Sequence, residues 1–167
     1  GRWAVVEPER ARVVFVSSEG TPLGQVGRAG DAPGEFRLPM DLALLPDSAL
    51  AILDPVQGRV TILEPGLRVR SSFASRRSSA IRLAATLDGN LLLAGPYDVA
   101  GKNHFLAIVS PTGDLLRSLI PTPPLLARLR PRHDDAFIAV GRDESIVVGA
   151  SIIPAFWRVT ARGVREV

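Results

Sequence analysis

A few carboxylates and two histidines are the residues whose types and positions could support chemistry. Asp41 begins a predicted strand, and Arg82 and Asp135 lie at comparable places in later strands. A carboxylate at a strand entrance can hold a ligand or a metal ion, and it can equally accept hydrogen bonds from nearby backbone N–H groups. Asp41 is therefore the candidate metal ligand of the chain.

The two histidines lack the spacing of a metal site. His133 precedes Asp134 and Asp135, which superficially suggests a set of metal ligands. Adjacent residues of a strand point to opposite faces, however, and the sequence contains neither His-x-His nor His-Glu-x-x-His. His104 stands apart from this group. The pattern predicts a solvated loop, and no catalytic residue and no cofactor is predicted from these residues.

Arginines supply nearly all of the positive charge and form two basic stretches. The first contains Arg68, Arg70, Arg76, Arg77 and Arg82, and the second contains Arg117, Arg128, Arg130 and Arg132. Arginines on one face could bind an anion, which makes the first four of them candidate anion-binding residues. The formal net charge is only +3, and six Phe, two Trp and one Tyr offer few rings for base stacking. Nucleic acid is therefore not the expected partner.

Composition narrows the class of protein further. A chain of 167 residues with 46% hydrophobic residues can bury one sizeable core. The absence of cysteine excludes disulfides and thiolate metal sites. No apolar run approaches the ~18 residues that a membrane span needs. We therefore expect a single folded domain that does not insert into a membrane.

The elements that would position these residues repeat along the chain. Four glycines, Gly20, Gly66, Gly113 and Gly163, lie 46, 47 and 50 residues apart. Each glycine ends a segment that consists of an apolar strand and a polar turn, and a second strand follows the glycine. A period in the forties that is built from short strands is typical of β-propeller blades, each a four-stranded antiparallel sheet.

The repeat divides the chain into a partial blade and three complete ones. We place the blades at residues 1–36, 37–78, 79–122 and 123–167, with their strands lettered a to d from the propeller axis outward. The first blade has strands b, c and d only. The Pro-rich stretch between the third and fourth blades is predicted as either a loop or a turn of helix at Leu125–Leu129. The predicted fold class is all-β.

The second blade resembles the NHL-repeat and related six-bladed propeller families. The matching residues are Gly27, Gly30, Gly34-Glu35-Phe36, Pro39, Asp41-Leu42-Ala43, Ala51-Ile52-Leu53-Asp54, Arg59-Val60 and Gly66. This chain departs from the pattern at two places, because Gly58 rather than Asn precedes Arg59 and because the turn between strands a and b has Ser48 rather than Gly.

The resemblance implies roles for several residues. Asp54 with Arg59, and Glu7 with Arg12, would form ion pairs that bridge strands b and c. In six-bladed enzymes of the lactonase kind, polar residues at the channel mouth hold calcium, which is the role implied for Asp41. A six-bladed ring needs roughly 270 residues at this repeat length. The resemblance therefore also implies that the chain is a fragment whose terminal blades expose apolar faces.

The leading functional hypothesis is a non-catalytic scaffold that presents blade-edge loops to a protein, peptide or glycan. One alternative is a metal-dependent hydrolase or lyase with its site at the channel mouth, including a zinc-propeller lyase if further blades contribute ligands. Another is the sensor domain of a membrane-tethered receptor. Bacterial propellers that resemble this chain are often exported, which suggests a periplasmic or extracellular location.

Overall fold

The computed structural model describes residues 1–75, 80–128, 136–151, 153 and 155–167. Among these residues there are fifteen strands. They are β1 (Arg2–Glu7), β2 (Arg12–Ser17), β3 (Pro22–Val26), β4 (Asp41–Leu44), β5 (Leu50–Asp54), β6 (Arg59–Leu63), β7 (Val69–Ala74), β8 (Arg82–Ala85), β9 (Leu91–Val99), β10 (Lys102–Val109), β11 (Leu115–Pro121), β12 (Ala136–Val140), β13 (Ile146–Ala150), β14 (Ala155–Thr160) and β15 (Gly163–Glu166). A 3-10 turn covers Pro8–Arg10, and helix α1 covers Pro124–Arg128.

The strands form four antiparallel sheets in which sequential strands are neighbours. The first sheet has three strands, β1-β2-β3, and the others have four, β4 to β7, β8 to β11 and β12 to β15. We call these sheets blades 1 to 4. Consecutive four-stranded meanders of this kind are propeller blades, and the predicted all-β propeller fold is confirmed. None of the described helices is long and apolar enough to cross a membrane.

Blades are held together through the faces of their middle strands. All five residues of β5 are buried. Leu50 and Ile52 belong to the apolar cluster shared with blade 1, whereas Ala51 and Leu53 belong to the cluster shared with blade 3. A strand that is buried on both faces needs apolar residues at every position. For this reason β5 has no alternation of polar and apolar residues before Asp54.

Each pair of neighbouring blades shares one apolar cluster. Between blades 1 and 2 it includes Val13, Phe15, Phe36, Ile52 and Leu63. Between blades 2 and 3 it includes Leu53, Ile62, Leu83, Leu91 and Leu93. Between blades 3 and 4 it includes Leu92, Phe105, Leu106, Val148 and Trp157. In the last cluster the rings of Phe105 and Trp157 lie 5.8 Å apart between centroids. The core is thus a series of interfaces between sheets.

The turns between strands c and d share one hydrogen bond but differ in one residue. The N–H of Gly20 donates to Ser17 O at 3.0 Å, and the N–H of Gly113 donates to Ser110 O at 2.9 Å. Both glycines have a positive φ. In blade 2 the same bond is made by Leu67, which has a φ of 66°. The predicted turn residue Gly66 therefore lies one position before the left-handed site.

The hairpin between β9 and β10 is longer than the sequence predicts. The sequence predicts strands at Asn90–Ala94 and Phe105–Ser110, whereas the structure pairs Val99 with Lys102. Gly95 and Pro96 are typical strand breakers, but an irregularity in register between His104 and Leu106 lets the pairing continue past them. The predicted turn of helix forms as α1, although Leu129 lies outside the described residues.

Two glycines at the same turn position provide a test of blade packing. A Cβ at Gly113 would lie 2.6 Å from the ring of Phe73, whereas a Cβ at Gly20 would meet nothing within 4 Å. We expect Gly20→Ala to cost about 1–2 kcal/mol because of its left-handed backbone. Gly113→Ala should cost about 1–3 kcal/mol more, because the ring must also move. Urea unfolding of both variants measures the difference, and equal losses would contradict the packing described here.

Candidate functional site

The segment between β3 and β4, residues 27–40, connects blades 1 and 2, and we call it the connector. It contains the Gly-Glu-Phe motif, Gly34-Glu35-Phe36. The carboxylate of Glu35 accepts hydrogen bonds from the Ala32 N–H at 2.9 Å and from Arg28 Nε at 2.8 Å. Phe36 is fully buried in the cluster between the two blades. A Cβ at Gly27 would lie 2.6 Å from the Phe36 ring, so the ring covers the glycine backbone. In this chain the motif therefore stabilises the folded connector.

Asp54 binds backbone amides instead of an arginine. It is 1% exposed, and its Oδ2 accepts the N–H groups of Arg37 and Leu38 at 2.7 and 3.0 Å. Its Oδ1 accepts those of Val56 and Gln57 at 3.1 and 3.0 Å. Four amide donors satisfy both oxygens of this buried side chain. Asp54 thereby ties the connector to the turn that follows β5.

Arg59 binds the connector as well, so the expected ion pair with Asp54 is not formed. The two residues are register partners in β5 and β6. The guanidinium of Arg59 donates to the carbonyl oxygens of Asp31 and Ala32 at 2.9 and 3.3 Å. The physical reason is that each side chain forms hydrogen bonds with backbone groups of the connector. No sequence pattern reveals those bonds. Both residues therefore bind the connector from the same end of the sheet.

Glu7 and Arg12 lie in the corresponding positions of blade 1 and do form a salt bridge. Arg12 also donates to Gln25 Oε1, and Arg10 lies 3.7 Å from the same Glu7 carboxylate. The hydrogen bond from Arg12 is the main cause that lowers the pKa of Glu7 below its ordinary value. Blade 1 thus has an ion pair where blade 2 has a buried carboxylate among amides.

The first residues of two inner strands connect neighbouring blades. Asp41 Oδ2 accepts the Leu83 N–H at 2.8 Å, and Asp41 Oδ1 accepts the Leu42 N–H at 3.0 Å. Arg82 Nε donates to the Ala136 carbonyl at 2.8 Å. Both oxygens of the candidate metal ligand Asp41 are thus engaged by backbone amides. Asp135, the third predicted channel residue, lies outside the described residues.

The other predicted site residues are dispersed. Arg68 pairs with Glu64 at 3.3 Å and Arg70 with Asp47 at 2.6 Å, and each arginine therefore already has a carboxylate partner. Arg76 and Arg77, the remaining candidates for anion binding, lie outside the described residues, as do His133 and Asp134. His104 Nδ1 lies 3.2 Å from the Lys102 carbonyl. The described part of the chain contains no group of three His, Cys, Asp or Glu placed to hold a metal ion.

Aspartates recur in the turns between strands a and b. Asp47 accepts the Ala49 N–H at 3.1 Å, and Asp143 accepts the Ser145 N–H at 3.2 Å. Asp88 accepts from Asn90 Nδ2 at 2.9 Å. Hydrogen bonds lower the pKa of all three carboxyls, chiefly from Arg70 to Asp47, from the Thr86 hydroxyl to Asp88 and from the Ser145 hydroxyl to Asp143. In their charged form these aspartates stabilise the turns.

Two cavities lie near the two ends of β1. Towards its start a cavity of about 500 Å³ is lined mainly by Arg2, Trp3, Ala4, Phe15, Leu42, Leu44, Leu50, Leu63, Pro65 and Leu67. Beyond its end a second cavity of about 530 Å³ is lined by Glu7, Pro8, Glu9, Arg10, Leu38 and Met40. The first cavity is the more apolar of the two, and we call it the β1 trough.

Comparison with blade 2 shows how incompletely β1 is covered. The pairing of Glu7 with Arg12 matches that of Asp54 with Arg59, so Trp3 corresponds to Leu50 and Val5 to Ile52. Leu50 and Ile52 are 9% and 0% exposed, whereas Trp3 and Val5 are 65% and 48% exposed. On the opposite wall Leu44, in inner strand β4, is 69% exposed. Trp3 and Leu44 both line the β1 trough, and exposed apolar side chains of this kind are typical of an interaction site.

The sequence analysis did not identify this trough, although it placed only three strands in blade 1. The signal that could have found it is the strongly apolar run from Trp3 to Val6, which is typical of a strand covered on both sides.

Known structures match the chain in fold. Virginiamycin B lyase from Staphylococcus aureus matches with a TM-score of 0.70 and 13% identity, over 100% of this chain and 52% of that one. A Bacteroides fragilis protein provisionally described as exported matches with a TM-score of 0.75 and 14% identity, over 98% and 46%. Hydrazine synthase from Kuenenia stuttgartiensis matches with a TM-score of 0.68 and 12% identity, over 98% and 45%.

These likenesses show the fold alone, because the identities are low. The chain spans about half the length of the structures that it matches. No family model matches the sequence, and the search of curated proteins gives no match. The resemblance to NHL repeats and the number of blades in a complete ring therefore stay predictions. The chain has the fold of a series of propeller blades.

Asp54→Asn should strongly destabilise the chain. An amide nitrogen cannot accept hydrogen bonds, so two of the four buried N–H groups would lose their partner, which we expect to cost about 2–4 kcal/mol. Asp98→Asn is the matched control, because among the described residues Asp98 accepts one hydrogen bond, from the Gly101 N–H, and that bond is exposed. Urea unfolding compares the two variants, and a loss at Asp54 no larger than at Asp98 would refute the structural role of Asp54.

The turn aspartates should make stability fall in acid. Each has a folded-state pKa below its ordinary value of 3.8. Their contribution is therefore complete above the ordinary pKa and is lost as pH falls through the lowered one. NMR titration of the carboxyl carbons should give values for Asp47, Asp88 and Asp143 below those of the same residues in the urea-unfolded chain. Equal values in the two states would contradict the hydrogen bonds in these turns.

Proposed function

We propose that this chain is a non-catalytic propeller scaffold that binds a partner polypeptide in the β1 trough. The single observation that carries the proposal is the apolar cavity of about 500 Å³ between blades 1 and 2, whose wall includes the exposed side chain of Leu44. Exposed apolar surface in a cavity is typical of an interaction site.

A polypeptide suits the trough better than a glycan or a nucleic acid. The walls are mainly aliphatic, with Leu42, Leu44 and Leu67 among the lining residues. Extended peptides supply backbone donors and acceptors at the spacing of a strand edge, and their alternate side chains fill apolar pockets. A glycan would need more polar groups than these walls offer, and an anionic backbone would need unpaired cations. The chemistry of the trough therefore favours an extended, apolar segment of protein.

We also propose an extracytoplasmic location. The proposal is supported by the matched Bacteroides fragilis protein that is provisionally described as exported. It is also compatible with the absence of cysteine, because a chain without thiols is indifferent to an oxidising environment. Fractionation of cells that produce the protein from its native gene tests this part of the proposal.

Selection from a library of random linear peptides tests the binding function. Peptides enriched on the folded chain should bind at least tenfold more weakly to Leu44→Asp, because a carboxylate in the wall must lose its water when the peptide enters. Leu44 is 69% exposed, so this substitution should leave the fold intact. Leu23→Asp is the matched control, because Leu23 is 55% exposed on outer strand β3 and lines neither cavity.

Fluorescence anisotropy with labelled peptides measures both variants, and circular dichroism checks that both are folded. Weaker binding to Leu44→Asp alone would support the proposal. No enriched peptide, or equal binding to the two variants, would overturn it.

A further inference from the structure

We infer that the groove between blades 3 and 4 binds a small zwitterion, namely an α-amino acid with an apolar side chain. The groove opens at the end of the blades where strands a and b are joined by turns. A cavity of about 250 Å³ lies there between two complete four-stranded sheets. It shares no lining residue with the β1 trough, and the inference goes beyond the proposed function.

Each wall of this cavity supplies one charged side chain that has no partner. Arg117 comes from outer strand β11 of blade 3, and Glu144 comes from the turn before β13 in blade 4. Among the described residues neither side chain forms an ion pair or a hydrogen bond, with the other or with any further group. Because the guanidinium and the carboxylate line one cavity but do not meet, a ligand that carries both charges can connect them.

The aspartates that line the cavity are already engaged. Both oxygens of Asp88 accept hydrogen bonds from side chains of its own turn. Asp143 pairs with Arg158 at 3.2 Å. A guanidinium binds a carboxylate well because two parallel N–H groups can donate to its two oxygens. Arg117 is therefore available for the carboxylate of a ligand.

The groove between blades 2 and 3 has the same architecture but lacks these free charges. Its cavity has a volume of about 270 Å³, and Arg70 of outer strand β7 lines it. Arg70 pairs with Asp47 at 2.6 Å within blade 2. The turn position of Glu144 is held in blade 3 by Gly89, and the two residues have a φ of 61° and 87°. Of these two grooves, the one between blades 3 and 4 therefore has the pair of free charges.

Apolar side chains from both blades also line the cavity between blades 3 and 4. They are Leu87, Ile108, Val140, Ile146 and Val159. Four of them, all except Leu87, belong to the apolar cluster between these blades or pack against it. The volume of the cavity lies below the range of about 300–1,000 Å³ that is typical of ligand pockets. The ligand must therefore be small and partly apolar.

An aliphatic amino acid such as leucine has a group for each part of the cavity. Its carboxylate would bind Arg117, its ammonium group would bind Glu144, and its side chain would cover apolar surface such as that of Leu87, which is 56% exposed. A simple anion is disfavoured because Asp88, Asp143 and Glu144 supply three carboxylates to the lining. A simple amine would leave the guanidinium of Arg117 without a partner.

Titration of the isotope-labelled chain with L-leucine, followed by amide NMR, tests the inference. We expect the amide signals of Leu87, Glu144 and Ala161 to shift and those of Trp3 and Leu44 to stay unchanged. Three further compounds each lack one part of leucine: isocaproate lacks the ammonium group, isoamylamine lacks the carboxylate and glycine lacks the apolar side chain. Each should bind at least tenfold more weakly than leucine.

Variants assign the two charges. Arg117→Gln and Glu144→Gln should each weaken leucine binding at least tenfold, because each removes one charge with little change of shape. Arg165→Gln and Glu166→Gln are the matched controls, because both residues are exposed on outer strand β15 and line no part of the cavity. Both controls should bind leucine as the parent chain does.

Glu144→Gly separates binding from folding. Glycine suits the left-handed backbone of this turn better than glutamate does. We therefore expect this variant to unfold at the same urea concentration as the parent or at a higher one, and yet to bind leucine as weakly as Glu144→Gln. Leucine binding equal to that of the parent would exclude a role for the carboxylate.

Three results of the titration would overturn the inference. The first is the absence of amide shifts with leucine. The second is binding of isocaproate, isoamylamine or glycine that equals the binding of leucine, because one charge or the apolar lining would then have no role. The third is a set of shifts confined to Trp3 and Leu44, which would place leucine in the β1 trough instead.

Discussion

Burial of the middle strands on both faces is the constraint on which the rest of this structure depends. Each sheet is too thin to shield its own apolar residues, so Ile52 needs blade 1 and Leu53 needs blade 3. Fully burying such a side chain contributes about 1.5–3 kcal/mol relative to leaving it exposed. The polar contacts, among them those of Asp54 and Asp41, mainly satisfy backbone groups at the edges of these interfaces and set how the blades meet.

The same constraint locates the candidate site. Between blades 1 and 2 the apolar residues leave a cavity of about 500 Å³, which Leu42, Leu44 and Leu67 line. Leu44 is 69% exposed there although it belongs to an inner strand. Apolar surface of this kind is the feature that a partner could cover.

The sequence predicts the parts of the fold that depend on a regular pattern of burial. It does not predict the contacts that depend on backbone geometry. Middle strands such as Leu50–Asp54 are predictable, because an apolar run of this length between turns has few other interpretations. The Asp54–Arg59 pair was wrong because charge complementarity is visible in a sequence and four converging amides are not. Leu67 was missed at a left-handed position because Gly66 beside it has the residue type that such a site usually requires.

For the site, sequence supplied candidates by residue type, and the structure shows their partners. Asp41 was identified as a strand-entry carboxylate, and the interpretation that it binds backbone N–H groups describes its observed contacts. The metal role of Asp41 and the receptor-sensor hypothesis stay predictions.

Hydrogen exchange of outer strand β7 measured against middle strand β5 tests the central claim most directly. The account predicts slow exchange throughout Leu50–Leu53, which is paired on both sides and buried on both faces, and rapid exchange of the amides on the outer edge of Val69–Ala74. Protection of β7 equal to that of β5 would contradict the account, because burial between blades would then not determine which strand is stable.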